Sequence, residues 1–179
     1  MLSFSVLAQE RQCSIPLSDE SFADIVNDVR HAYFPELARL RIPIRHFHQA
    51  GYYLQAGVNH AQLLIGKKRY HLDVNPEMLA CPPNDNALRA ILVHEFEHFR
   101  DYHRRSASEV VALGIRYATS RGFRARYERR TDEKVLRQHL GTGLHDYRLW
   151  LYQLLPPKQL RLKRIYYYTP SEIDNWVEN

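Results

Sequence analysis

Apolar residues return at helical spacing in several separate stretches of this chain, and most of these stretches carry a start signal of their own. Phe22, Ile25, Val26, Val29 and Tyr33 fall on one face of a helix that Ser18 can cap. Leu88, Ile91, Leu92, Glu95 and Phe99 repeat the spacing after Pro82-Pro83, with Asn84 or Asp85 at the start. Three more helices are expected at 107–119, 123–140 and 146–155, with Gly141-Thr142-Gly143 ending the second and Pro156-Pro157 the third. Thr169-Pro170-Ser171-Glu172 then opens a short terminal helix with a capping box and a proline at its first position.

Between 51 and 75 the pattern becomes strand-like. Two or three short strands are expected there, with Gly66-Lys67-Lys68 as a hairpin turn between Leu63-Leu64-Ile65 and Tyr70-His71-Leu72. Arg69 to Asn75 alternates and stops at an Asn-Pro turn, and Tyr166-Tyr167-Tyr168 reads as half-buried strand packing. A chain of 179 residues with 45% apolar content can bury a substantial core, and no linker or repeat divides it. The expectation is one α+β domain over 1–179, a small, mostly antiparallel sheet packed against several helices.

The second of these helices carries the chemistry. His94-Glu95-Phe96-Glu97-His98 sets two imidazoles four residues apart, which on a helix places both on one face, one turn apart, where they can grip one Zn²⁺. Glu95 lies roughly 100° around from His94, positioned to reach a metal-bound water without being a ligand. Two core histidines satisfied by hydrogen bonds would give no reason for Glu95.

A metal that performs catalysis needs three protein ligands and an open position. His103, five residues after His98, faces elsewhere, and Asp101 sits one turn further along as a supporting or surface group. The stronger source is the pair Glu128 and Asp132, four apart on the next-but-one helix. One of these carboxylates can bind the metal while the other holds the outer N–H of a ligand imidazole.

His94-Glu95-x-x-His98 followed by Glu128-x-x-x-Asp132 resembles the gluzincin pattern of zinc metallopeptidases, a group that includes thermolysin-like enzymes and membrane-associated peptidases. The resemblance covers roughly residues 70–140. It implies a zincin-like fold centred on the metal helix, Zn²⁺ held by His94, His98 and Glu128, Glu95 as general base, and Asp132 orienting His94. It also implies a peptide or protein substrate pairing with an edge strand beside the cleft, a place that Arg69 to Pro76 would fill. A zincin usually adds a group that steadies the oxyanion, and His145 and Tyr147 are the candidates, with no choice between them.

The net charge of +5 brings in a competing reading. Arg126, Arg130, Lys134 and Arg137 form a stripe roughly 200° around the helix from Glu128, pointing away from the metal. A solvated outer face is the simpler account. The alternative is a DNA-associated or other basic-surface binding protein with a structural or vestigial metal site. His46 and His48 could share one face of a strand, but surface histidines explain them better.

Met1 to Ala8 is a short apolar run ending in Val6-x-Ala8, the small-residue pattern of a signal-peptidase site, without a basic region before it. If it is the remnant of a signal peptide, the protein is periplasmic or secreted and Cys13 and Cys81 can pair; otherwise it is cytoplasmic and both are thiols. No other stretch reads as a transmembrane segment.

Overall fold

Ser18 begins the first helix as expected: its hydroxyl accepts the Ser21 N–H at 3.0 Å and α1 runs Asp19–Tyr33, burying Phe22, Val26 and Val29. The computed structural model describes residues 13–178, so the apolar run 1–8 lies outside the described residues. Within them the fold is α+β and mostly helical.

The sheet is small and mixed rather than mostly antiparallel. It contains β1 (Ile44–His46), β2 (Leu54–Val58) and β3 (Tyr70–Val74) in the order β1-β3-β2, with β1 parallel and β2 antiparallel to β3. The stretch Leu63-Leu64-Ile65 is not a hairpin strand. Asn59 caps a short helix, α2 (His60–Leu64), by accepting the Gln62 N–H at 3.0 Å, and this helix connects β2 to β3. Leu63 is buried while Leu64 and Ile65 are both exposed, so the three residues do not alternate as a strand would.

After α3 (Pro76–Ala80), α4 (Asp85–Arg104) starts at Asn84, whose side chain accepts the Ala87 N–H at 2.8 Å. Helix α5 (Ala107–Thr119) opens with a Ser106–Glu109 capping box. Helix α6 (Arg121–Arg137) ends three residues earlier than expected, and His139 takes φ 60° in the connection that follows. Gly141-Thr142-Gly143 does not end that helix; it begins α7 (Gly141–Leu154). The reason is packing. A Cβ on Gly143 would lie 2.4 Å from the Asn86 carbonyl oxygen, so glycine lets α7 lie against the start of α4.

Pro157 likewise starts a helix that the periodicity does not announce, α8 (Pro157–Tyr166), which replaces the strand expected around Tyr166. The terminal α9 (Pro170–Val177) forms with its Thr169–Glu172 capping box in place.

The core is arranged around α4, which is buried from Ala87 through Phe99 apart from Arg89. Phe22 and Val29 of α1, Leu72 and Val74 of β3, Val135 of α6 and Leu144 of α7 belong to the same cluster. His94, Glu95, Glu97 and His98 are therefore taken out of water with the apolar residues beside them, and each needs a polar partner inside the protein. Cys13 and Cys81 form a disulfide, Cα to Cα 4.8 Å, while Ser14 N–H and Leu17 N–H donate to the Pro82 and Leu79 carbonyls. Among the described residues no helix is long and apolar enough to cross a membrane.

Candidate metal centre

Helices α4 and α6 cross so that His94, His98 and Glu128 meet. His94 Nε2 lies 3.2 Å from Glu128 Oε2 and 3.2 Å from His98 Nε2, and His98 Nε2 lies 3.4 Å from the same Glu128 oxygen. All three side chains are buried, and among the described residues this is the one His/Cys/Asp/Glu group placed to hold a metal ion. His46 is instead 2.9 Å from Asp19 on the surface, and neither His46 nor His48 joins such a group.

Each of the three candidate ligand side chains has another side chain behind it. His94 Nδ1 lies 2.8 Å from Asp132 Oδ1, so the ring presents Nε2 to the cluster. Asp132 in turn accepts from Arg148 Nη2 at 2.8 and 3.1 Å and from the Tyr168 N–H at 2.9 Å. The Tyr117 hydroxyl donates to Glu128 Oε1, which leaves Oε2 for the two imidazoles. His98 has no hydrogen bond at Nδ1 within the described structure; its ring stacks on Tyr127 at 5.3 Å, and Tyr127 donates to Asp101 at 2.9 Å. Asp101 is thus linked to His98 through Tyr127.

Burial and neighbouring charge act in opposite directions on the groups of this cluster. Burial on its own would lower the pKa of His94, but hydrogen bonds and charge from Asp132 and Glu128 outweigh it and hold the metal-free imidazole at about 10. Burial likewise opposes the charge on Glu128, yet His98 and His94 keep its carboxyl well below the usual range.

Glu95 is buried, and burial raises its pKa. It accepts the Ala56 N–H at 2.7 Å. Ala56 lies on β2, which corrects the expectation about the edge strand. β3, the strand read from Arg69 to Pro76, is central and paired on both sides, whereas β2 is the outer strand that reaches the candidate base. Alternation marks a strand but does not say where in a sheet it sits.

A cavity of about 870 Å³ opens over this cluster, with His94, Glu95, His98, Tyr147, Lys163 and Tyr167 among its lining residues. Of the two oxyanion candidates, Tyr147 faces this cavity. His145 does not line it and instead sits 3.4 Å from Asp146 and 3.7 Å from Asp174. Tyr117, Tyr127, Arg148 and Lys163 carry no sequence signal for this site because none falls at a spacing tied to the histidine motif, and Tyr167, expected as half-buried strand packing, lines the cavity instead. The arginine stripe lies as expected: Arg126, Arg130, Lys134 and Arg137 are exposed, away from buried Glu128.

No protein-family model, curated protein or solved structure matches this chain.

Proposed function

We propose that the protein is a zinc-dependent peptidase with a zincin-like, gluzincin-type catalytic core. The observation that carries this reading is the triangle of donor atoms with edges of 3.2, 3.2 and 3.4 Å. Ligands bound at about 2.0–2.1 Å in tetrahedral geometry stand about 3.3 Å apart, so His94, His98 and Glu128 form one face of a tetrahedron and leave the fourth corner open. Two imidazoles and a carboxylate suit zinc among the divalent metals.

When bound, zinc would polarise the scissile carbonyl and bring the pKa of a bound water towards ~7. The remaining work falls to the chain. Glu95, raised in pKa by burial and steered by Ala56, takes a proton as the water oxygen bonds to the carbonyl carbon. It then returns that proton to the amine as the C–N bond breaks. Asp132 fixes His94, and the outer side of β2 offers main-chain groups to an extended peptide. The Cys13–Cys81 disulfide supports an oxidising compartment, periplasmic or extracellular.

The test is elemental analysis of the parent, Glu128→Ala and Glu95→Gln, paired with digestion of a mixed peptide library. The expected result is one zinc per chain in the parent and in Glu95→Gln, loss of metal in Glu128→Ala, and cleavage by the parent alone. A parent that takes up no zinc when supplied would overturn the reading.

A further inference from the structure

Among the described residues, three Lys and Arg side chains line the cavity: Arg45, Arg148 and Lys163. Two are already engaged. Arg45 pairs with Asp73 at 3.0 Å, and Arg148 is committed to Asp132. The ammonium of Lys163, on α8, makes no hydrogen bond or ion pair among the described residues.

Its ammonium is held by aromatic faces instead. Nζ stands 4.2 Å from the centre of the Tyr52 ring and 5.1 Å from that of Tyr167. Tyr167 itself packs against His94, ring centres 5.8 Å apart, so the lysine is one ring removed from the candidate metal ligand. Aromatic faces attract a cation without neutralising it or accepting its N–H bonds as a carboxylate would. Burial and the nearby Arg148 lower the Lys163 pKa to about 8, which still leaves it mainly charged at neutral pH.

The charge balance gives the lysine a purpose. A divalent ion at the cluster is balanced by Glu128 and ionised Glu95, and Asp132 is balanced by Arg148. Lys163 is the cavity cation left over.

We propose that Lys163 binds negatively charged oxygen on the ligand in the metal cavity, supplied by the scissile carbonyl as it gains charge or by a terminal carboxylate. The first source rests on the peptidase reading above; the second does not require it. A cation positioned where charge develops stabilises the transition state without reorganising. A cation that recognises a terminal carboxylate selects peptides cleaved near their ends.

The experiment compares zinc-loaded parent, Lys163→Met and Lys163→Arg by calorimetric binding of three probes. These are a dipeptide phosphonate with a free carboxylate, the same phosphonate amidated, and an uncharged N-acetyl dipeptide amide. Zinc content and melting temperature are measured alongside. Lys163→Met should retain zinc and lose about 10- to 100-fold in phosphonate affinity, the worth of one hydrogen bond between charged groups. Binding of the uncharged probe should not change, and Lys163→Arg should recover part of the loss.

A loss with both phosphonates assigns Lys163 to the carbonyl oxygen; a loss confined to the free carboxylate assigns it to the chain terminus. Equal affinity of parent and Lys163→Met for both phosphonates, or no phosphonate binding by a parent that has taken up zinc, overturns the proposal. A parent without zinc overturns the peptidase reading alone, because the free-carboxylate comparison can then be run on metal-free protein.

Discussion

Glu95 and Ala56 are 39 residues apart in sequence, yet the buried carboxylate accepts the Ala56 N–H at 2.7 Å. This single bond couples α4 to the outer strand β2, with the candidate base lining the cavity. Glu95→Gln keeps the size and the acceptor oxygen but cannot take a proton. Turnover of a cleaved peptide should fall by about 10²–10⁴-fold while zinc content and melting temperature stay at parental values. Cleavage at the parental rate would remove Glu95 from the mechanism.

Asp132 joins two buried partners, His94 and Arg148, and its replacement acts on both. Asp132→Asn should weaken zinc binding by about 10–100-fold, measured by competition with a chelator. Arg148→Met leaves Asp132 buried without its guanidinium partner and should cost about 3–5 kcal/mol in denaturant unfolding. A loss within error of zero would mean that the pair contributes little to folding.

Metal binding should depend on pH through His94. In the metal-free protein its pKa stands at about 10, against ~6.5 for an unperturbed imidazole. The raised value means that the protonated ring stabilises the metal-free fold fully below pH ~6.5, and that this contribution is lost as pH rises towards 10. Zinc must displace that proton, so affinity should rise about tenfold per pH unit between pH 7 and 9. Calorimetry in buffers of different ionisation enthalpy counts the proton released. A pH-independent affinity across that interval would rule out a protonated His94 in the free site.

Reduction of the Cys13–Cys81 bond opens a loop with a sequence separation of 68 residues. Chain-entropy arguments give a loss of about 4 kcal/mol in the reduced protein. Thermal unfolding with and without reductant, and of Cys13→Ser with Cys81→Ser, measures it. Equal stability of both forms would show that the bridge carries no energetic weight.

Much of the candidate metal centre was legible from spacing alone. Residues four apart on a helix share a face whatever surrounds the helix, so His94 and His98 could be paired before any fold was known, and Ser18, Asn84 and Thr169 announced their helices through local hydrogen bonds. The α+β class followed from the same local periodicity. Glu128 and Asp132 were within reach as a pair, and the resemblance to gluzincins suggested roles for them; the structure sets Glu128 against both imidazoles and Asp132 behind His94.

What the sequence could not supply is everything set by how the helices cross. Gly141-Thr142-Gly143 carries the same local signal whether it ends one helix or starts the next, and the close approach of α7 to the Asn86 carbonyl decides it. The rank of β2 as outer strand, the backing of Glu128 by Tyr117 and of His98 by Tyr127, and the placing of Lys163 in the cavity arise between segments distant in sequence. Periodicity and capping are local properties that a sequence carries in itself. Which side chains share a buried space depends on packing, and only the tertiary structure decided that.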